Sequence, residues 1–397
     1  MTTTGAWTPR FASVAQTVPP NVFADMDVKV AKAVAAGADV IDLAKGNPDA
    51  YPAEFIRDVA KSSVDDPLNA RYTPFDGKPA FLEAAAGWYQ RVHGVALDWR
   101  TQLFAVEGAV DGLAGLFAIL VERGDAVAFA DPYYPSYHCM SVMYGAEEIL
   151  LPAKRELGWL PDLDAVDEDV WRRLRVLVLN YPNNPTGAQA PASFFAHAIE
   201  LAKRYGFLII HDFAYTGLGV HDQQVSYLTL PGATDVGVEV NSLSKMYAMA
   251  GWRAGFVAGN PDVIARLKQY HYQMGSMVTG MVQDAGIVAL NSDQSCVAEL
   301  AARYAARRKV VSDGLRALGL DVFDSPGGVY AWIATPEGWS GQQFADALLD
   351  KASVAVLPGT CFGRVGANYV RLSLLKDEAQ LREAVRRIGQ AGAAIGL

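Results

Sequence analysis

The sequence predicts an α/β protein with a mostly parallel central sheet flanked by helices, plus a smaller α+β domain formed by the N- and C-terminal segments. Three observations carry this expectation. From about residue 100 to 290, short apolar runs alternate with longer stretches of helical spacing, the pattern of repeated strand–helix–strand units. Runs such as Val176-Leu177-Val178-Leu179 and Phe207-Leu208-Ile209-Ile210 are apolar throughout, as strands covered on both faces are. Beyond residue 290 the pattern changes to one long helix and then clustered strands.

Taken in order, the strand-like runs fall at 102–106, 126–130, 175–180, 207–211, 236–241 and 254–258, with helical spacing at 111–122 and 191–205. Val297, Leu300, Tyr304, Val311, Leu315 and Leu318 then recur on one face of an amphipathic helix. Strands are expected at 320–323, 329–333, 354–357 and 369–374, and a last helix from Glu378. The expected division is a large domain at 48–290 and a small one made of 1–47, with its N-terminal arm, and 291–397. The segment up to Leu43 either packs with that small domain or reaches a neighbouring subunit.

The chain has 397 residues, 51% apolar and 19% charged, enough for a large core. Its net charge is −9 with the charges interspersed, which gives a nucleic-acid backbone nothing to bind. The opening residues 1–7 lack a basic stretch followed by an apolar core, and apolar runs break before membrane-spanning length. The 3 cysteines, Cys139, Cys296 and Cys361, are far apart and show no metal spacing, as in a reducing compartment. The chain reads as soluble and cytoplasmic, with neither membrane nor nucleic-acid partner.

In open parallel sheets a ligand sits beyond the carboxyl ends of the strands, and the polar residues collect there. Lys245 follows the β-branched run Val236, Val238, Val240, comes just after Ser242 and Ser244, and lies upstream of Arg253. An amine, hydroxyls and a guanidinium suit a carbonyl cofactor that carries phosphate, with Lys245 forming a Schiff base and Ser242 and Arg253 holding phosphate. A solvated lysine on a polar turn would read the same in isolation. Asp212 ends an apolar run and precedes Tyr215. A buried carboxylate needs a partner, and a protonated pyridine nitrogen would serve, with Tyr215 bonding the ring's phenolic oxygen. An ordinary turn aspartate is the alternative.

Asn184, in the stretch Asn180-Tyr-Pro-Asn-Asn-Pro-Thr-Gly187, is biased to an extended conformation by Pro185 and can donate to the same oxygen. Gly108-Ala109-Val110 precedes a helix, where backbone N–H groups form an anion site. Tyr134 can stack on a flat ring, though aromatics beside prolines are often simply core. Arg371 lies in an apolar strand and requires an anion, best a bidentate carboxylate, unless an internal acid pairs with it.

Together with Asp42-Leu-Ala-Lys-Gly-Asn-Pro48, Tyr72-Thr-Pro-Phe-Asp-Gly77, Pro326-Gly-Gly-Val-Tyr330 and Pro358-Gly-Thr-Cys-Phe-Gly363, these motifs resemble the fold-type I, aspartate-aminotransferase-like family of pyridoxal-phosphate enzymes. The resemblance spans nearly the whole chain. It implies that Lys245 is the Schiff-base lysine, that Asp212 pairs with the pyridine nitrogen, and that Asn184 and Tyr215 contact the phenolic oxygen. Tyr134 would stack on the ring. Ser242, Arg253 and the backbone amides of the Gly108-Ala109-Val110 turn would hold phosphate, and Arg371 the substrate carboxylate, with Gly46 lining the substrate pocket. Tyr72 matches a tyrosine that reaches the phosphate of the other subunit, which implies a homodimer with shared sites.

Two departures stand out. Val110 occupies a position where relatives often have Thr, Ser or Lys, and Lys45 one where they usually have a small or aliphatic pocket residue. Lys45 either turns outward to solvent or meets an anionic or polar part of the substrate.

The activity implied is transamination between an amino acid and a 2-oxo acid through a Lys245 aldimine. Elimination, γ-substitution, cyclisation and C–C bond formation, including chemistry on S-adenosylmethionine, share the same opening steps, and Lys45 and the segment 270–277 are the expected places of divergence. A non-catalytic pyridoxal-phosphate-binding regulator is the remaining reading. The early start of the motifs leaves no room before them for the DNA-binding domain such regulators carry.

Overall fold

The computed structural model describes residues 8–220, 224–275 and 277–397. The opening residues 1–7, and Ser276 of the 270–277 segment, lie outside the described residues. A short strand β1 (Ile41–Asp42) precedes the central sheet. That sheet contains β2 (Leu103–Val106), β3 (Ala126–Asp131), β4 (Glu147–Lys154), β5 (Leu160–Pro161), β6 (Leu174–Asn180), β7 (Leu208–Asp212), β8 (Gly237–Ser242) and β9 (Gly255–Gly259). Its order is β2-β9-β8-β7-β6-β3-β4-β5. Strands β8, β7, β6, β3 and β4 pair in parallel, whereas β9 runs antiparallel to both its neighbours.

Side chains alternate across this sheet with period 2, and the alternation separates two apolar cores. Val176, Val178, Ile210, Val238 and Val240 pack on one side against the helix Ala109–Leu120, with Leu113, Leu116 and Phe117. Leu177, Leu179 and Ile209 face the other side, with Trp88, Phe195 and Ala198 of the helices Pro79–Trp88 and Ala192–Tyr205. Burying each such side chain contributes about 1.5–3 kcal/mol, so a one-residue slip would exchange the two cores and is strongly disfavoured. Among the described residues, no helix is long and apolar enough to cross a membrane.

A second sheet has the order β10-β13-β12, from β10 (Tyr330–Ala334), β12 (Leu357–Pro358) and β13 (Tyr369–Ser373). Strand β11 (Val354–Ala355) instead pairs with β1 in parallel. The N-terminal segment is thereby stitched to the C-terminal one, since Leu43 N–H donates to Ala355 O and Ser373 N–H to Leu43 O. The long helix Ser295–Ala317 and the last helix Glu378–Ala391 pack against these strands and each other.

Three expectations need correction. The run 320–323 makes only a single bridge, Val322 with Ile333, and the chain then turns, with Ser325 N–H donating to Phe323 O at 2.9 Å. The run 354–357 is divided between two sheets, with β11 serving β1 and β12 serving β13. Strand β4 was not expected, because Pro152 interrupts its apolar run. It is tolerated because β4 pairs only with β3 across residues 147–152 and is open on its other side.

Trp332 on β10 is fully buried, stacked on Tyr369 at 5.1 Å and edge-on to Trp159 at 6.0 Å. Trp332→Ala should lower unfolding stability by about 3–5 kcal/mol, read as a shift in the urea midpoint.

Candidate active site

A cavity of about 490 Å³ opens beyond the carboxyl ends of β2, β3, β6, β7 and β8. At one end Gly108 leads into the helix Ala109–Leu120 with φ +91, and a Cβ there would lie 2.5 Å from Arg253 Nη2. Only glycine lets the guanidinium lie against this turn. Arg253 is itself held by donating to Ala250 O at 2.9 Å and Glu107 O at 3.0 Å. Ala109, Val110 and Ser242 line the same end, where the helix N-terminus adds its own partial positive charge. Val110 turns partly outward, so its contribution here is confined to the backbone.

In the middle, Lys245 is largely buried and donates to the carbonyl oxygen of Gly46. Burial lowers its amine pKa, Tyr330 opposes that, and the Arg371 and Arg253 charges lower it further. Asp212, at the end of β7, accepts from Tyr137 Oη–H at 2.7 Å and from the Ala214 N–H at 3.2 Å. Burial pushes its carboxyl pKa up, while those two donors and the charge of His211 act downward. Asn180 connects this point to the next: its Nδ2 donates to Asp212 O at 2.8 Å, and its Oδ1 accepts from Asn184 N–H at 2.9 Å. Tyr134 lines the cavity and meets Tyr137 edge-on at 5.8 Å. Tyr215 Oη–H donates to Tyr330 Oη at 3.4 Å.

At the far end Arg371 on β13 is 2% exposed. It donates to Asn184 Oδ1 and Ala44 O, each at 2.9 Å, and its buried Nε has no partner among the described residues. Its guanidinium carbon lies 3.9 Å from the Tyr330 ring centre, 4.7 Å from Phe362 and 5.8 Å from Phe23. Gly46 is required by space, since a Cβ there would clash with Tyr330 Oη.

The structure thus brings together Gly46, Ala109, Val110, Tyr134, Asn184, Asp212, Tyr215, Ser242, Lys245, Arg253 and Arg371 in one cavity. Lys45 reaches its mouth, 3.2 Å from Asp27 Oδ1 and 3.5 Å from Asp42 Oδ2. Tyr72 is elsewhere, 91% exposed on the surface. The described part of 270–277 does not line the cavity, contrary to expectation. Its helix turns His271 into the core against Phe104 and bonds Tyr272 to Asp76.

Residues of the cavity region given no role from the sequence are Tyr137, Tyr330 (which the sequence shows only as the end of a motif), Phe23 and Asn21. Tyr137 lies one helical turn after Tyr134, a usable signal. The approach of Phe23 and Asn21 depends on how the N-terminal segment folds back, which no local pattern records.

These residues fit a phosphorylated, cationic ring compound. A glycine cradle meets a fixed cation at one end, a buried carboxylate suited to a positive partner lies in the middle, and an arginine whose Nε is unpartnered among the described residues closes the other end. Such a site on this sheet is that of a fold-type I aminotransferase. Residues 38–388 match the family of class I and II aminotransferases, and the chain belongs to that family, whose members depend on pyridoxal phosphate. It is an aminotransferase, an enzyme of the transferase class.

The LL-diaminopimelate aminotransferase of Syntrophobacter fumaroxidans is 40% identical over 372 residues, covering 94% of this chain and 96% of that protein. An L-glutamine–4-(methylsulfanyl)-2-oxobutanoate aminotransferase from Bacillus subtilis is 39% identical over 378 residues, 95% of each chain. Among solved structures, substrate-bound BacF from Bacillus subtilis superposes with a TM-score of 0.93 at 32% identity, covering 97% of this chain and 98% of that one.

The loop carrying Gly46 is clamped from below. Arg307 Nη1 and Nη2 donate to Asp49 Oδ1 at 2.9 Å and Oδ2 at 2.7 Å. Burial works against the Asp49 charge, but the Arg307 hydrogen bond and charge outweigh it and hold the carboxyl below its ordinary range. The clamp's stabilisation should therefore be complete above the unfolded value near pH 4 and be lost as pH falls through the lower folded value. Urea midpoints of wild type and Asp49→Asn should differ at neutral pH and converge at low pH.

Proposed function

We propose that the chain exchanges an amino group between an amino acid and a 2-oxo acid using pyridoxal 5′-phosphate held in this cavity. The observation that supports this most directly is the order of charges along one cavity: Arg253, then Lys245, then Asp212, then Arg371. When bound, the cofactor supplies a carbonyl that takes up the amino group and a ring that withdraws electrons from Cα. In our reading Ser242, Arg253 and the N–H groups of Ala109 and Val110 hold the phosphate. Asp212 accepts from the ring nitrogen, Tyr134 covers the ring face, and Asn184 and Tyr215 bond the phenolic oxygen. Arg371 orients the substrate carboxylate through the guanidinium edge that contains Nε. Lys245, its basicity reduced by burial, would take the proton from Cα and return it to the cofactor's carbonyl-derived carbon, on the far side of the substrate nitrogen.

We read the chain as a large domain at 48–290 and a small one from 1–47 and 291–397, which is supported by the separation of the central sheet from the β10-β13-β12 sheet and the β1–β11 pair. We also place it in the cytoplasm, a reading its three free cysteines support. It acts as a homodimer: Tyr72, Val64 and Leu68 are strongly exposed apolar groups. Val64 lines a second, outward-facing cavity of about 940 Å³ that shares Val110 and Arg253 with the first. A second copy seated there would cover this patch and bring its Tyr72 toward the phosphate end.

The substrate's far end meets the Lys45–Asp27 pair. Both side chains are about half exposed, and such pairs contribute roughly 0–1 kcal/mol, so a charged or polar substrate group can exchange with either partner. Diaminopimelate, on which a relative acts, has such an end.

Mass spectrometry of cofactor-loaded enzyme mixed with amino acids, 2-oxo acids and S-adenosylmethionine tests the reaction. Exchange of amine for oxo group supports it, while gain or loss of a carbon fragment would favour one of the related chemistries. Lys245→Ala should lower multiple-turnover transamination by more than about 100-fold, and retained turnover would overturn its role. Lys45→Ala should raise KM for substrates with a polar far end, by about 10-fold or less. Unchanged kinetics for every accepted substrate would return Lys45 to a solvent-facing role.

A further inference from the structure

Behind the cavity, on the opposite face of the central sheet, lies a polar cluster that the chemistry above leaves unused. Asp212 enters the cavity, so His211 points the other way, into the core. His211 and its register partner Glu239 on β8 are both fully buried. His211 Nε2 lies 3.1 Å from the carbonyl oxygen of Tyr181, and Nδ1 lies 2.8 Å from Glu239 Oε2. A carbonyl only accepts, so Nε2 carries hydrogen.

Glu239 also accepts from Tyr89 Oη–H at 2.8 Å, Ser226 Oγ–H at 2.9 Å and the Tyr227 N–H at 2.8 Å. Three further donors converging on one carboxylate suit an anion, which leaves hydrogen on Nδ1 as well. Burial would raise the Glu239 pKa, but the hydrogen bond and charge of His211 outweigh it and hold the carboxyl below its ordinary range. The arrangement is an imidazolium–carboxylate pair sealed from water.

Stability alone does not account for it, because well-packed apolar replacements of buried ion pairs are often neutral or stabilising. What distinguishes this pair is its reach. Tyr181 follows β6, His211 precedes Asp212 on β7, and Glu239 precedes Ser242 on β8. One imidazole therefore bridges the three strand ends that carry Asn184, Asp212 and Lys245.

We propose that His211, with Glu239, is a positioning residue that locks the carboxyl ends of β6, β7 and β8 together and sets a fixed positive charge behind the Asp212 carboxylate. The inference rests on Asp212 being the partner of the cofactor's ring nitrogen. Burial already drives Asp212 toward its neutral form, and the charge of His211 is one of the influences that oppose this. Without it, Asp212 holds a proton more readily and grips a protonated ring nitrogen less well.

The test has two independent arms. Nitrogen NMR of histidine rings in the wild-type enzyme at neutral pH should show both His211 nitrogens protonated, and a neutral tautomer would overturn the proposal. Second, His211→Phe and Glu239→Gln should weaken pyridoxal phosphate binding and lower kcat, each on the order of 10- to 100-fold. KM for the amino acid should move less than about twofold, because Arg371 is on another sheet. Glu239→Gln keeps the shape of the pair and carries the same readouts if His211→Phe does not fold. A folded variant with wild-type cofactor affinity and kcat would also overturn the proposal. Failure of wild type itself to bind pyridoxal phosphate would strike the reading of the cavity, and the NMR arm reports on the ion pair apart from it.

Discussion

A permanent positive charge in the interior dictates how the two ends of this chain meet. Arg371 cannot shed its charge and has almost no access to water, so protein groups must solvate it. They come from widely separated segments: Ala44 after β1, Asn184 after β6, Tyr330 on β10, Phe362 and the N-terminal Phe23. Two neutral oxygens and three aromatic faces compensate part of the lost hydration, and Nε has no partner among the described residues. Secondary ties then hold these segments in place. Asp131 at the end of β3 accepts from the N–H groups of Arg364 and Val365 at 3.0 and 3.2 Å, anchoring the loop that presents Phe362. The N-terminal segment is fixed by its pairing with β11.

The alternation of strand side chains is used twice in the central sheet. On one face, Asp212 and Ser242 belong to the cavity. One residue earlier on β7, and three earlier on β8, His211 and Glu239 belong to a closed network on the other face. The sheet is thus a rigid partition between two polar systems, each surrounded by apolar packing. Its rigidity comes from strands that are buried on both sides, which is also why those strands stand out in the sequence.

What could be read in advance follows the same logic. Uninterrupted apolar runs betray buried parallel strands, and polar residues at their carboxyl ends are conspicuous because nothing else polar is near. Lys245, Asp212, Asn184 and Arg253 were legible on that ground. Strand β4 was obscured by Pro152, and the split of 354–357 between two sheets depends on partners distant in sequence. Phe23 and Tyr330 gain their places only through tertiary packing against Arg371. Lys45 stands out in the sequence as unusual, but its ion pair with Asp27 requires the helix Ala24–Ala35 to lie across the cavity mouth. In the sequence His211 looks like the last residue of an apolar run, and its partners sit on neighbouring strands.

Arg253 stands in the left-handed region at φ 56, where a side chain costs about 1–2 kcal/mol relative to glycine. A glycine there would relax the backbone and remove the guanidinium from the Gly108 turn. That relief would be set against the two hydrogen bonds the guanidinium makes to Ala250 O and Glu107 O. In this molecule an unstrained backbone and a guanidinium packed on the Gly108 turn are alternatives at a single residue.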